Sequence, residues 1–163
     1  MNMVFSGLVT AGLLAAGVAA AQPCAKPADV TAFEIAGLKT KLMVTALTCD
    51  QRDRYNDFVQ RFRSDLQMHE RNLHAYFSRA FGARAQREHD DYITSLANTQ
   101  SQSGLRQGTL FCQQTTGMFA EVLALAKGTD LAGYAAAKSL PQPVDIVACP
   151  VPTRTAQAAP VHR

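Results

Sequence analysis

The chain has 163 residues, a net charge of +3, 47% apolar residues and no tryptophan. Between positions 50 and 91 eight acids are balanced by eight bases, every one an arginine, so this stretch offers a salt-bridged surface and no basic stripe for nucleic acid. No G-x-S-x-G, C-x-x-C or C-x-x-C-H occurs, which removes the usual serine hydrolase, dithiol redox and haem-attachment signatures.

Residues 1–21 read as a targeting segment. From Val4 onward they are apolar or small and uncharged, and they end in Ala19-Ala20-Ala21, an A-x-A cleavage pattern. The residues before Cys24 do not form a lipobox, so no lipid and no permanent membrane anchor are expected after cleavage. The expected location is periplasmic or secreted. Residues 22–150 form one domain, and 151–163 are expected to be a disordered tail.

After a Pro-containing lead-in, Asp29 or Thr31 can cap a first helix that reaches about residue 47. Phe33, Ala36, Leu38, Leu42, Met43, Ala46 and Leu47 cover a broad face of it, so it should be largely buried. Gly37 within it suggests a close helix contact. Asp50 is then expected to cap a long helix ending at Gly82, with Asp53 in the first turn and ion pairs Asp50–Arg54 and Asp57–Arg61. Tyr55, Phe58, Val59, Phe62, Leu66, Leu73, Tyr76, Phe77 and Ala80 recur at steps of three and four, an apolar stripe roughly 100° wide. A capping box at Ser64–Gln67 offers a possible restart, but the stripe stays in phase across it, which favours one continuous helix.

A third helix is expected over residues 83–100, with His89, Tyr92, Ile93 and Leu96 inward. Residues 101–108, SQSGLRQG, read as a loop. A fourth helix follows over 109–126, with Phe111, Thr115, Met118, Phe119, Val122 and Leu123 inward, ended by Gly128. A short helix capped by Asp130 runs to about 139, and from Pro141 the chain is extended. The predicted fold is all-α: a disulfide-braced up-down-up-down four-helix bundle with a short fifth helix and an extended C-terminal tail.

Four cysteines in an exported chain argue for two disulfides. In an up-down bundle the end of the first helix and the start of the fourth share one end of the molecule. The expected pairs are therefore Cys49–Cys112 and, at the other end, Cys24–Cys149.

Candidate chemistry is sparse. His69 lies on the stripe and His89 on the inner face of the third helix. Counted from the turn at Gly82 their levels differ by about 9 Å, too far for one ion. His74 is level with His89 but lies about 100° from the centre of the stripe. His69 and His74 are five apart, not the four a zincin helix needs, and Glu70–His74 reads as a surface pair. Met43, Met68 and Met118 do not read as a copper site, because Met68 points away from the apolar stripe while Met43 and Met118 fit a core. No catalytic residue, metal or cofactor is assigned. Ser101, Ser103 and Arg106 are a candidate anion-binding loop. Tyr76, Phe77 and Phe81 outreach the shorter third helix and are a candidate partner surface, unless they fill the bundle or the C-terminal segment covers them.

The segments LKTKLMVTALTCDQRDRYNDFVQRF and ANTQSQSGLRQGTLFC resemble small exported helical proteins of proteobacteria that carry no assigned activity. The resemblance spans Leu38 to Val122. It rests most on Ala46-Leu47-Thr48-Cys49, Tyr55-Asn56-Asp57-Phe58 and Phe111-Cys112, and it supports the Cys49–Cys112 bridge. It implies no catalytic residues. The expected function is a non-enzymatic binding or protein-interaction module of the cell envelope, acting on an envelope protein or as a homodimer. The alternative is a small-ligand or metal carrier using the bundle interior near His69 and His89.

Overall fold

The computed structural model describes residues 24–126 and 128–150; the expected targeting segment (1–21) and the expected disordered tail (151–163) lie outside them. The described chain is helical: α1 (Pro27–Thr48), α2 (Arg52–Arg61), α3 (Arg63–Phe81), a single 3-10 turn (Gly82–Arg84), α4 (Ala85–Gln107), α5 (Leu110–Thr115), α6 (Gly117–Leu123) and α7 (Gly128–Lys138). Because α2 and α3, and α5 and α6, are separated by one residue each, these make five helical rods. Among the described residues there is no strand, only an isolated parallel bridge between Ala25 and Ala148. No described helix is long and apolar enough to cross a membrane.

The central element is α1. Thirteen of its residues are buried, and it packs against α2, α3, α4, α5 and α7. A helix apolar on most sides has to be covered on most sides. One core cluster joins Leu38 and Leu42 of α1 to Phe58 and Phe62, to Met118, Phe119 and Val122, and to Leu131 of α7. A second joins Ala32, Phe33 and Ala36 to Leu73, Phe77, Tyr92 and Leu96. The amphipathic α2–α3 stretch is therefore one wall of the molecule rather than its axis.

Several element ends differ from expectation, each for a local reason. α1 begins at Pro27, whose fixed φ suits a first helical position. Asp29 sits one turn in, where its carboxylate accepts the Lys26 N–H at 2.7 Å. Asp50 does not cap the long helix. It takes φ 55° in the tight turn after α1 and pairs with Arg52 rather than Arg54. Arg61 donates to the Leu125 carbonyl, not to Asp57. The long helix is interrupted at Phe62, not restarted at Ser64, and no side chain caps the break. The Phe62 N–H still reaches Phe58 O and the Leu66 N–H still reaches Phe62 O, so the apolar stripe keeps its phase.

The expected fourth helix is split at Thr116. The Thr115 and Thr116 hydroxyls donate to the carbonyls of Phe111 and Cys112, four residues back, and Gly117 follows. Such back-bonding competes with the helical ladder and bends it. Gly128 opens α7 instead of closing the helix before it. The stretch 101–107 is no loop but the last two turns of α4. Gly104 is needed there for contact, since a Cβ would lie 3.0 Å from the Phe111 ring. The helix stops at Gly108, which takes φ 56°.

Both expected disulfides are present, Cys24–Cys149 and Cys49–Cys112, and no cysteine is free. Asp29 in the first turn of α1 meets Arg79 in the last turn of α3, so these helices run antiparallel. Gly82, at φ 54°, reverses the chain so that α4 runs back along α3. The residues after α7 form a strap along α1 and α4. Gln100 donates to Pro141 O, Tyr92 donates to Gln142, and Gln142 donates to Phe33 O. Gly37 faces this strap rather than a helix, because any Cβ there would strike the Gln142 amide.

Candidate metal centre

Glu70 and His74 are four residues apart on α3 and so share a side of that helix. The turn at Gly82 brings His89 of α4 level with them. The His74 and His89 rings stack with centroids 4.0 Å apart and planes 22° apart. His89 Nε2 lies 3.1 Å from Glu70 Oε1, and His74 Nε2 lies 3.6 Å from the same oxygen. One ligand atom from each of the three residues falls within a 4.8 Å circle.

The surroundings fix the buried member. His89 is buried, with Phe77 packed edge-on at 5.4 Å. Its Nδ1 lies 3.4 Å from the Asp90 carboxylate. Asp90 accepts two contacts from the Gln86 amide, at 3.0 and 3.1 Å. The Gln86 bond, helped by the His89 ring, holds the Asp90 carboxyl below its ordinary range. His89 thus has a carboxylate against each ring nitrogen. A neutral imidazole has one N–H and can satisfy one of them. Protonated, the ring donates to both; unprotonated at Nε2, it leaves a lone pair facing Glu70 that a metal ion can take up in place of the proton. A carboxylate behind one nitrogen and a metal on the other is the recurrent arrangement at histidine ligands.

Two imidazoles and a carboxylate suit a borderline divalent ion such as Zn2+, Cu2+ or Ni2+. Around a four-coordinate ion with bonds near 2 Å, ligand atoms sit roughly 3.4 Å apart. The three atoms here need to close by about an ångström, and His74, with its side chain 45% exposed, is free to swing. Lys39 Nζ, 3.8 Å from Glu70 Oε2, is the nearest competing cation.

His69 is not part of this group. It is buried beside Leu66 and Leu73, and its Nδ1 has no hydrogen-bond partner among the described residues. Burial pushes its pKa down, against an opposing pull from Asp65. The cavity beside it, about 10 Å³, has no room for a ligand. Of the two expected carrier histidines, only His89 meets other ligand atoms. The sequence reading set the Glu70–His74 pair aside as surface. The usable signal was there: a Glu-x-x-x-His face on one helix, level with a histidine on the next.

Ser101, Ser103 and Arg106 lie on α4, where Ser103 and Arg106, three apart, share a side and Ser101, two before Ser103, lies on the opposite one. They do not converge on an anion. Tyr76, Phe77 and Phe81 are brought together, but not as an open surface. Phe77 is buried, and the three line a cleft of about 230 Å³ that the strap at Pro143–Ile146 closes on one side. Phe33 stands at its base, 4.9 Å from the Tyr76 ring and 5.2 Å from Tyr92. Burial, then the Glu70 carboxylate, push the Tyr92 phenol up, which keeps it a hydrogen-bond donor to Gln142.

No protein-family model, curated protein or solved structure matches this chain.

Proposed function

We propose that this is an exported, non-enzymatic metal-binding protein of the cell envelope, which holds a divalent transition ion on Glu70, His74 and His89. The observation that carries the reading is the buried His89 ring with a carboxylate against each nitrogen. A cation on Nε2, either a proton or a metal ion, satisfies both carboxylates. Glu70 and His74 supply the remaining ligands from the facing helix, and Asp90 and Gln86 orient the ring. The half-exposed His74 side chain would leave a bound ion reachable from solvent, which suits uptake and release.

The periplasmic or secreted setting is part of the same proposal. It is supported by two disulfides, which persist in oxidising compartments, and by the A-x-A pattern at residues 19–21. We also take the rods as an up-down-up-down bundle with α7 as the short fifth helix, supported by the antiparallel α1–α3 and α3–α4 pairs, and retain kinship to small exported proteobacterial helical proteins.

The test is titration of the oxidised chain from residue 22 with Zn2+, Cu2+ and Ni2+, followed by native mass spectrometry. The expected result is one ion per chain, lost in His89→Ala and weakened in His74→Ala. Binding that is equal in the wild type and both variants would refute the site.

A further inference from the structure

The aromatic cleft beside the metal centre has a charge pattern of its own. Its walls are the rings of Phe33, Tyr76 and Phe81, and its rim carries Glu88, Asp91 and Asp145. No lysine, arginine or histidine lines it. Glu88 and Asp91 do have cations four residues earlier, Arg84 at 3.3 Å and Arg87 at 3.6 Å. Exposed pairs of that kind bind weakly and leave much of the negative field in place. Asp145, on the strap, has no cationic partner among the described residues.

We infer that this cleft binds a small organic ammonium ion, a methylated or primary amine. Aromatic faces attract such ions through the negative charge of the ring surface, and more strongly when the ion is partly desolvated. The carboxylates add a field of the right sign and, with the Ser95 hydroxyl, acceptors for any N–H. A carboxylate or phosphate ligand meets three anions and no counter-charge. A neutral apolar ligand gains the ring contacts but strips water from the carboxylates without replacing it. At about 230 Å³ the space suits an amine of a few carbons, below the roughly 300–1,000 Å³ of drug-sized pockets. The inference is independent of the metal reading, since none of Glu70, His74 and His89 lines the cleft.

The strap makes the cleft conditional on the Cys24–Cys149 bridge. Pro143, Val144, Asp145 and Ile146 form one wall. They are held by that disulfide, by the Ala25–Ala148 bridge and by Gln142. The oxidised chain is therefore the species to test.

The experiment is titration of the oxidised chain with choline and with neohexanol, its uncharged carbon isostere, followed by calorimetry and by NMR of the aromatic ring protons. Choline is expected to bind at least about tenfold more tightly than neohexanol and to shift the Tyr76 and Phe81 rings. Asp145→Asn, on an exposed side chain, is expected to weaken choline about fivefold and leave neohexanol unchanged. Tyr76→Leu keeps an apolar wall but removes the ring, and is expected to weaken choline alone. Equal affinity for choline and neohexanol, or no response of the aromatic rings to choline, overturns the inference. Phosphatidylcholine vesicles supply the second source of the same group. Co-sedimentation competed by free choline marks the headgroup as ligand, and choline binding without co-sedimentation marks the free amine.

Discussion

The His74 ring, on the exposed edge of α3, lies flat against the buried His89 ring of α4 at 4.0 Å. Two imidazoles in that position, with Glu70 against both, are the ligand set proposed for a divalent ion. At free Zn2+ a hundredfold above Kd the folded chain should gain about 2.7 kcal/mol of stability. His74→Ala and His89→Ala should gain far less, which thermal melts with and without Zn2+ will show. Lys39 sets a finer test. Its ammonium partly neutralises Glu70 from 3.8 Å, so Lys39→Met should tighten Zn2+ severalfold. An unchanged Kd would mean that Lys39 does not compete.

Asp29 ties the start of α1 to the end of α3. Its carboxylate is nearly fully buried and accepts from both the Lys26 N–H and the Arg79 guanidinium. Asp29→Ala removes a helix-start acceptor while Arg79, 38% exposed, can turn to solvent, and should cost about 1–2 kcal/mol in chemical denaturation. Arg79→Met should cost more, about 2–4 kcal/mol, because the carboxylate stays buried without its counter-charge and with one donor fewer. If Arg79→Met were neutral, the bridge would be ornamental to the fold.

The strap can be released without touching the proposed metal ligands. Cys24–Cys149 closes a separation of 125 residues and Cys49–Cys112 one of 63. The chain-entropy model assigns them about 5 and about 4 kcal/mol, with measured effects often smaller. Cys24→Ser with Cys149→Ser should lower the melting temperature and abolish choline binding, since one wall of the cleft is no longer held. Zn2+ affinity should stay within about twofold, because Glu70, His74 and His89 lie on α3 and α4. Loss of both activities together would mean that the strap supports the whole bundle.

What the sequence made legible was periodic or ordinal. The stripe from Tyr55 to Phe77, the inner face of Phe111 to Val122 and both cysteine pairings follow from helical spacing and helix order. What it hid depended on contacts between elements. Gly104 looks like a loop residue until the Phe111 ring is seen against it. Thr115 and Thr116 read as ordinary helix residues, yet their hydroxyls bend the backbone. His74 lies off the stripe by its angle, yet its ring stacks on His89 at 4.0 Å, a contact that depends on the neighbouring helix.

Lys41 gives a pH test. It is buried on α1 with its ammonium 4.5 Å from the centre of the Phe111 ring and no carboxylate partner among the described residues. Desolvation lowers its pKa from the usual 10.5. Below that lowered value both folded and unfolded chains carry the charge, and the burial cost is felt in full. Between the lowered value and 10.5 the unfolded chain binds more protons, so stability from this group rises with pH. Lys41→Met keeps the stem and drops the charge. It should stabilise the fold at neutral pH, with a gain that shrinks as pH approaches 10.5; a gain constant with pH would remove Lys41 titration as the cause.

Two glycines inside helices should respond in opposite directions to alanine. Gly133 sits in α7 with open space where a Cβ would go. Gly133→Ala should therefore stabilise by about 0.5–1 kcal/mol, the helix-propensity difference, with nothing to oppose it. Gly104 in α4 has the same propensity gain available, but its Cβ would stand 3.0–3.3 Å from three atoms of the Phe111 ring. That ring is almost completely buried and lies beside Cys112, whose disulfide restrains any retreat. Overpacking of this kind costs about 1–3 kcal/mol, so Gly104→Ala should be destabilising on balance. Urea denaturation of the two variants decides it. If Gly104→Ala were as stabilising as Gly133→Ala, Phe111 would have room to move, and the tight contact between α4 and α5 would not be what sets the end of α4.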